Sequence, residues 1–116
     1  MAYKIDDTQL TSLNLRRSDG PSGFEITIPS KTNIARNTVE RYAAERPDQL
    51  ALIFEDEDLT LRTWTFAELD RDASRLAHGL VGLGIGRGDR VTHYFSANSV
   101  LDLAFRLGAS LLGAVP

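Results

Sequence analysis

Thr65 and Glu68 stand three residues apart, immediately before a run whose apolar residues keep helical spacing, and this pairing constrains the chain more than any other feature. In a Thr-x-x-Glu capping box the threonine oxygen accepts from the Glu68 N–H, while the Glu68 carboxylate accepts from the Thr65 N–H. Two of the amides that a helix start leaves without partners are thereby satisfied. A helix is predicted from Phe66. Its Phe66, Leu69, Ala73, Leu76, Ala77, Leu80 and Leu83 form one stripe, and Asp70, Arg71, Asp72, Ser74 and Arg75 fall mostly off it. Gly84 supplies the left-handed residue that ends the helix.

The segments on either side follow from similar local signals. Asn33 caps a helix whose Ala35, Val39, Tyr42 and Ala43 share a face, and which stops near Arg46 because Pro47 disfavours helical geometry in the residue before it. Its other face carries Arg36, Glu40, Arg41 and Glu45, with Arg36 and Glu40 paired one turn apart. The apolar run from Leu50 to Phe54, the acidic Glu55 to Asp58 and the alternating stretch up to Thr65 read as a β-hairpin leading into the capped helix. Beyond that helix, Gly84 to Asp89 is a tight connection and Arg90 to Phe95 a strand by β-propensity. Residues 96–99 give a turn and an N-cap, and a helix is predicted over Val100 to Leu112 with Gly113 past its end. That helix is apolar nearly all round, so it needs cover on more than one side. Residues 1–23 are polar and without a sustained period, and read as a loosely held arm. Phe24, Ile26 and Ile28 suit either a short half-buried strand ended by Pro29 or an extended arm. Helix, hairpin, helix, strand, helix and the start of a further strand describe an α/β domain whose sheet is incomplete.

Composition narrows the function classes. The chain has 116 residues, the size of one small domain with one core. A net charge of −3, with no basic patch interleaved with aromatics, argues against nucleic acid as partner. Cysteine is absent, which removes disulfides, thiolate metal sites and cysteine nucleophiles, and the default location is the cytoplasm. The amino terminus has no basic region followed by an apolar run. The apolar stretch from Val100 to Pro116 is shorter than the roughly 20 residues of a membrane span and is interrupted by Asp102 and Arg106.

Four features invite chemistry. Glycines at 82, 84, 86 and 88 suggest a phosphate loop, but such loops run strand, glycines, helix, and here the order is helix, glycines, strand. A helix cap and turn is the reading adopted. Glu55 to Asp58 lacks the central glycine and closing glutamate of a calcium loop, which leaves a solvated hairpin tip. His78 and His93 lie outside any metal-ligand spacing. Ser96, Ser99 and Asp102 near His93 are a nominal triad without the Gly-x-Ser-x-Gly elbow. No catalytic, cofactor-binding or metal-binding residue is assigned. Trp64 and Phe66 are expected to anchor the start of the capped helix.

Three phrases, Trp64 to Leu69 with its preceding Arg62-Thr63, Leu83 to Val91, and Leu107 to Pro116, stand in an order and spacing that resemble the amino-terminal part of the adenylate-forming acyl-CoA synthetases, the AMP-binding ligase superfamily. The resemblance spans about Asn33 to Pro116. It implies an amino-terminal arm over 1–32 and a partial amino-terminal subdomain over 33–116. It also implies an ATP-dependent ligase that activates a carboxylic acid as its adenylate and passes the acyl group to coenzyme A. ATP, Mg and CoA are thus implied for the full-length family, and fatty acid metabolism as the setting. The family's phosphate loop, acidic motif and late lysine lie beyond this segment. The only lysines are Lys4 and Lys31, so the chain alone is expected to be inactive. Its partners are then the rest of the ligase polypeptide, or further copies through the last helix, where two or three of Leu101, Leu103, Phe105, Leu107, Leu111 and Leu112 are expected to lie uncovered. The alternative is a free-standing interaction module built on the same scaffold.

Overall fold

The structure, a computed structural model, describes residues 15–21, 23–95 and 99–116. It separates into two compact units, Met1–Thr32 and Asn33–Pro116. In the first, β1 (Arg16–Gly20) pairs antiparallel with β2 (Gly23–Thr27), with Arg17 opposite Ile26 and Gly20 opposite Gly23. Arg16–Gly20, within the stretch read as a loosely held arm, is therefore one strand of a hairpin, and residues 1–14 lie outside the described residues. Pro21 in the connection and a φ of 125° at Gly23, open only to glycine, close the turn. Arg16 to Gly20 carries no apolar alternation, so its strand is set by the partner and the turn, not by a pattern of its own.

In the second unit, Asn33 Oδ1 accepts from the amides of Ala35 and Arg36 and starts α1, residues 34–45. This helix contains a π-helical turn, Arg36–Glu40, followed by Arg41–Glu45. Ala35 and Val39 are buried, as their shared face requires. The hairpin follows as β3 (Leu50–Glu55) and β4 (Leu61–Thr65), with an irregularity at Ala51 between the Leu50 and Leu52 pairs.

The capping box is present in both directions. Thr65 Oγ1 accepts from the Glu68 amide at 3.3 Å, and Glu68 accepts from the Thr65 amide at 2.9 Å. The helix α2 runs over Phe66–Gly82 and buries Leu69, Ala73, Ala77 and Leu80. Phe66 and Leu76 are half-buried, whereas Leu83 is 78% exposed. The stripe ends one turn early because Leu83 belongs to the cap. There Gly84, at φ 82°, donates to Val81 O and Ile85 donates to Leu80 O, the two bonds of a Schellman motif. The ring that meets Phe66 at the helix start is Tyr42, with centroids 5.1 Å apart, rather than the neighbouring Trp64.

The last helix, α3 (Val100–Leu112), is capped by Ser99 Oγ on the Leu101 amide and ends at Gly113, φ 72°, in a second Schellman pair through Ala114 and Ala109. It is covered on two sides. One cluster joins Ala35, Val39, Leu69, Ala73 and Leu107, with Leu103 and Leu111 packed on it. A second joins Leu80, Ala109 and Ala114, with Ile85, Val91, Phe105 and Leu112. Of the six large apolar residues expected to compete for cover, only Leu101, 58% exposed, is left in solvent. Small residues make this possible by letting α2 and α3 approach closely.

Residues 90–95 make one parallel bridge, Arg90 to Val115, rather than a full strand. Val91 donates to Val115 O and Val115 to Asp89 O, both at 2.8 Å. A strand needs a ladder partner, and the described partner segment reaches only Pro116. The geometry is nonetheless that of parallel strands joined by a crossover helix, α3.

Candidate functional site

The glycine connection is the first place to test for an anion site, because only backbone amides with no partner can hold a phosphate. Here they are already used. The Gly84 and Ile85 amides close the helix cap, the Gly86 amide donates to Asp89 Oδ2 at 2.8 Å, and Gly88 donates to Gly113 O at 2.9 Å. Gly88, at φ 86°, turns the chain toward the parallel bridge. The residues therefore do not fit a nucleotide phosphate.

The acidic tip is likewise occupied by its own backbone. Asp56 Oδ1 accepts from the amides of Asp58 and Thr60, and its other oxygen faces Arg62 at 3.5 Å. An open depression of about 370 Å³ lies beside it, lined by residues that include Phe54, Glu55, Arg62 and Ser99. No group of three or more His, Cys, Asp or Glu side chains among the described residues is placed to hold a metal ion.

Of the nominal triad, the structure brings two members together. His93 Nε2 meets Asp102 Oδ1, and Arg106 Nε donates to Asp102 Oδ2 at 3.0 Å. His93 also lies against Phe105, with centroids 4.5 Å apart, and near Phe95 at 5.3 Å. Ser99 does not join them, because its hydroxyl caps α3. Ser96 lies outside the described residues. His78 is exposed on α2. The arrangement is an anchored Asp–His–Arg cluster that ties residues 91–95 to α3. The Asp102–Arg106 half went unread, although the two stand one helical turn apart, a spacing at which opposite charges pair; the His93 half, nine residues away, had no local signal.

Among the described residues, three carboxyls have displaced pKa values. The Thr65 amide holds Glu68 below its ordinary value, against some desolvation, and His93 followed by Arg106 does the same for Asp102. Asp70 is raised by burial and by the facing Glu40. The signs differ in consequence. A depressed native pKa gives stability that is present at neutral pH and lost as pH falls through the native value, whereas a raised one opposes folding at neutral pH. The melting temperature is thus expected to fall on acidification below the ordinary carboxyl values of 4.5 and 3.8. Asp70→Asn is expected to raise it at pH 7 and to change it little at pH 3. Thermal melts at both values check this, and an Asp70→Asn protein that is less stable at pH 7 would contradict it.

The scaffold has relatives among known proteins. The family model described as AMP-binding enzyme matches residues 39–116. The acetyl-coenzyme A synthetase of Thiobacillus denitrificans is 45% identical over 99 residues, covering 82% of this chain and 15% of the relative. Among solved structures, a fatty acyl CoA synthetase of Mycobacterium tuberculosis matches with a TM-score of 0.61 and 32% identity, over 72% of this chain and 16% of its own. The acetoacetyl-CoA synthetase of Streptomyces lividans matches with a TM-score of 0.72 and 29% identity, over 94% of this chain and 19% of its own. The chain spans only 13 to 15% of the length of the curated relatives it matches. No helix among the described residues is long and apolar enough to cross a membrane. From its sequence and these matches, the chain belongs to the AMP-binding enzyme family, as an amino-terminal piece of the adenylate-forming ligase superfamily.

Proposed function

We propose that the chain is the amino-terminal segment of an ATP-dependent ligase that joins a short carboxylic acid to coenzyme A, and that it is inactive alone. The observation that supports the acid's size is the identity of the matching curated relatives, which are acetyl-coenzyme A synthetases, that of Thiobacillus denitrificans at 45% identity, whereas the fatty acyl structure is 32% identical. Short-acid activation, rather than fatty acid metabolism, is the setting this favours, and the cytoplasm is its place. ATP, Mg and CoA belong to the longer polypeptide. The glycine amides here are already bonded, and neither lysine lies in the second unit. That the matched relatives are far longer ligase chains supports this reading over a free-standing interaction module.

The test is a chimera in which this chain replaces the corresponding segment of the Thiobacillus denitrificans synthetase. Acetate-dependent exchange of pyrophosphate into ATP is expected within about tenfold of the parent, about 1.4 kcal/mol in barrier. The isolated chain should show none. Exchange by the isolated chain above a no-acid control, or a folded chimera without exchange, would refute the proposal.

A further inference from the structure

Residues 92–95 run extended beside α3 with little backbone support. Among the described residues, the backbone bonds of this segment stop at Val91, whose amide donates to Val115 O. Beyond it Thr92, Tyr94 and Phe95 are exposed, Tyr94 at 91%, and His93 is the one member of the four that is not, with its side chain 15% exposed. The His93 ring lies against Phe105, which packs on the second cluster, and its Nε2 meets Asp102 Oδ1. Phe95 stands beside the same ring, with centroids 5.3 Å apart. Fixing four residues in one extended conformation has an entropy cost, and without ladder bonds it falls to side-chain contacts to offset it.

Asp102 is built to receive that contact. Its other oxygen accepts from Arg106 Nε at 3.0 Å, one turn along the same helix, which fixes the carboxylate on α3. His93 and then Arg106 hold its pKa below the ordinary value, so it is ionised at neutral pH. An ionised carboxylate only accepts, so Nε2 carries the proton, and it donates in the neutral imidazole as in the imidazolium. We infer that residues 92–95 form a strap laid against Phe105 with His93 as its latch, and that the hydrogen bond from Nε2 to Asp102, not the ring contact, keeps the strap closed. Opening it frees the segment beyond Val91 and bares one side of Phe105, while α3 and both clusters stay in place. The latch does not depend on the ligase reading above.

Backbone amide relaxation of the 116-residue chain, measured by NMR, decides it, because it reports order residue by residue without needing a bonded amide. Order parameters of residues 92–95 are expected near about 0.85 in the parent and below about 0.6 in His93→Phe, which keeps an aromatic ring and removes the donor. His93→Gln, whose side-chain amide can donate from nearly the same place, is expected to restore the parent's order. Residues 66–82 and 100–112 should stay rigid in both variants. Chymotrypsin gives a second readout, with cleavage at Tyr94 expected at least about tenfold faster in His93→Phe than in the parent or in His93→Gln. A strap that stays ordered in His93→Phe would show that packing holds it and would overturn the latch. So would a strap already disordered in the parent, or a glutamine variant as disordered as the phenylalanine one. Loss of order that spreads through α3 would make His93 a support of the whole unit and overturn the inference as well. If His93→Phe does not fold, Asp102→Ala carries the same test: a loosened strap on a rigid α3 supports the latch, and parental order or a second failure to fold overturns it.

Discussion

Gly108→Val is expected to unfold the helical unit or to lower its melting temperature by more than about 10 °C, taking about 4–8 °C per kcal/mol for a domain of this size. A Cβ at position 108 would stand 2.7 Å from Ala73 O, 3.1 Å from the Ala77 amide and 3.1 Å from Leu76 Cβ. The first two are backbone atoms of α2, so relief requires the helices to separate. Overpacking of this kind costs about 1–3 kcal/mol, occasionally more, and valine adds two further methyl groups to the clash. Separation would also loosen Leu107 and Ala109, which belong to the two clusters on either side of Gly108. Gly108→Ala should be milder, because about 0.5–1 kcal/mol of helix propensity is regained. Circular dichroism melts of the two variants and the parent test the order. A valine variant that melts with the parent would mean that α2 and α3 are not this close.

This crossing shows what was legible in the sequence and what was not. Signals that act within one helical turn were readable: the Thr65 and Glu68 box, Gly84 and Gly113 as left-handed caps, Ser99 as a cap, and the β3–β4 hairpin around its acidic tip. Each depends on residues close together in the chain. The close approach at Gly108 depends on Ala73 and Ala77, some thirty residues away in the chain, and a glycine in a helix gives no sign of its neighbour. The π-helical turn in α1 had no local marker either. Residues 90–95 have strand propensity, but pairing is a property of two segments, and Val115 supplies one bridge. β1 went unread for the opposite reason, since its pairing comes from β2 and a proline turn while its own side chains are polar. For the candidate site, the sequence reading of the glycines rested on element order alone, whereas the structure shows the amides of Gly84, Ile85, Gly86 and Gly88 bonded within the chain. The sequence could not foresee that Asp102 would hold His93 as well as Arg106.

Asn33 is where a local signal was read and its larger role was missed, and the second large effect follows from it. As an N-cap, Asn33 would be replaceable by aspartate with little change, since the two are about equally good caps. In the structure its Oδ1 accepts from Ala35 and Arg36, while its Nδ2 donates to Ser110 O at 2.7 Å and lies 3.5 Å from Leu111 O. The side chain therefore joins the start of α1 to the end of α3, across 77 positions. Asn33→Asp keeps the cap and loses the donor, placing a carboxylate oxygen against a carbonyl oxygen. A lost hydrogen bond costs about 0.5–1.5 kcal/mol, and leaving its partner unsatisfied about 1–3 kcal/mol, with the low end suited to a partly buried pair. Asn33→Ala loses the tie and also the cap, the latter worth about 0.5–2 kcal/mol, but introduces no repulsion. Both variants are thus expected to lose about 2 kcal/mol, whereas capping alone would leave the aspartate variant near the parent. The aspartate deficit should also shrink as pH falls, because a protonated carboxyl can donate to Ser110 O again. Urea titrations of the three proteins at pH 7 and pH 4 separate the two accounts. An aspartate variant as stable as the parent at pH 7 would reduce Asn33 to a cap and leave α1 without its tie to α3.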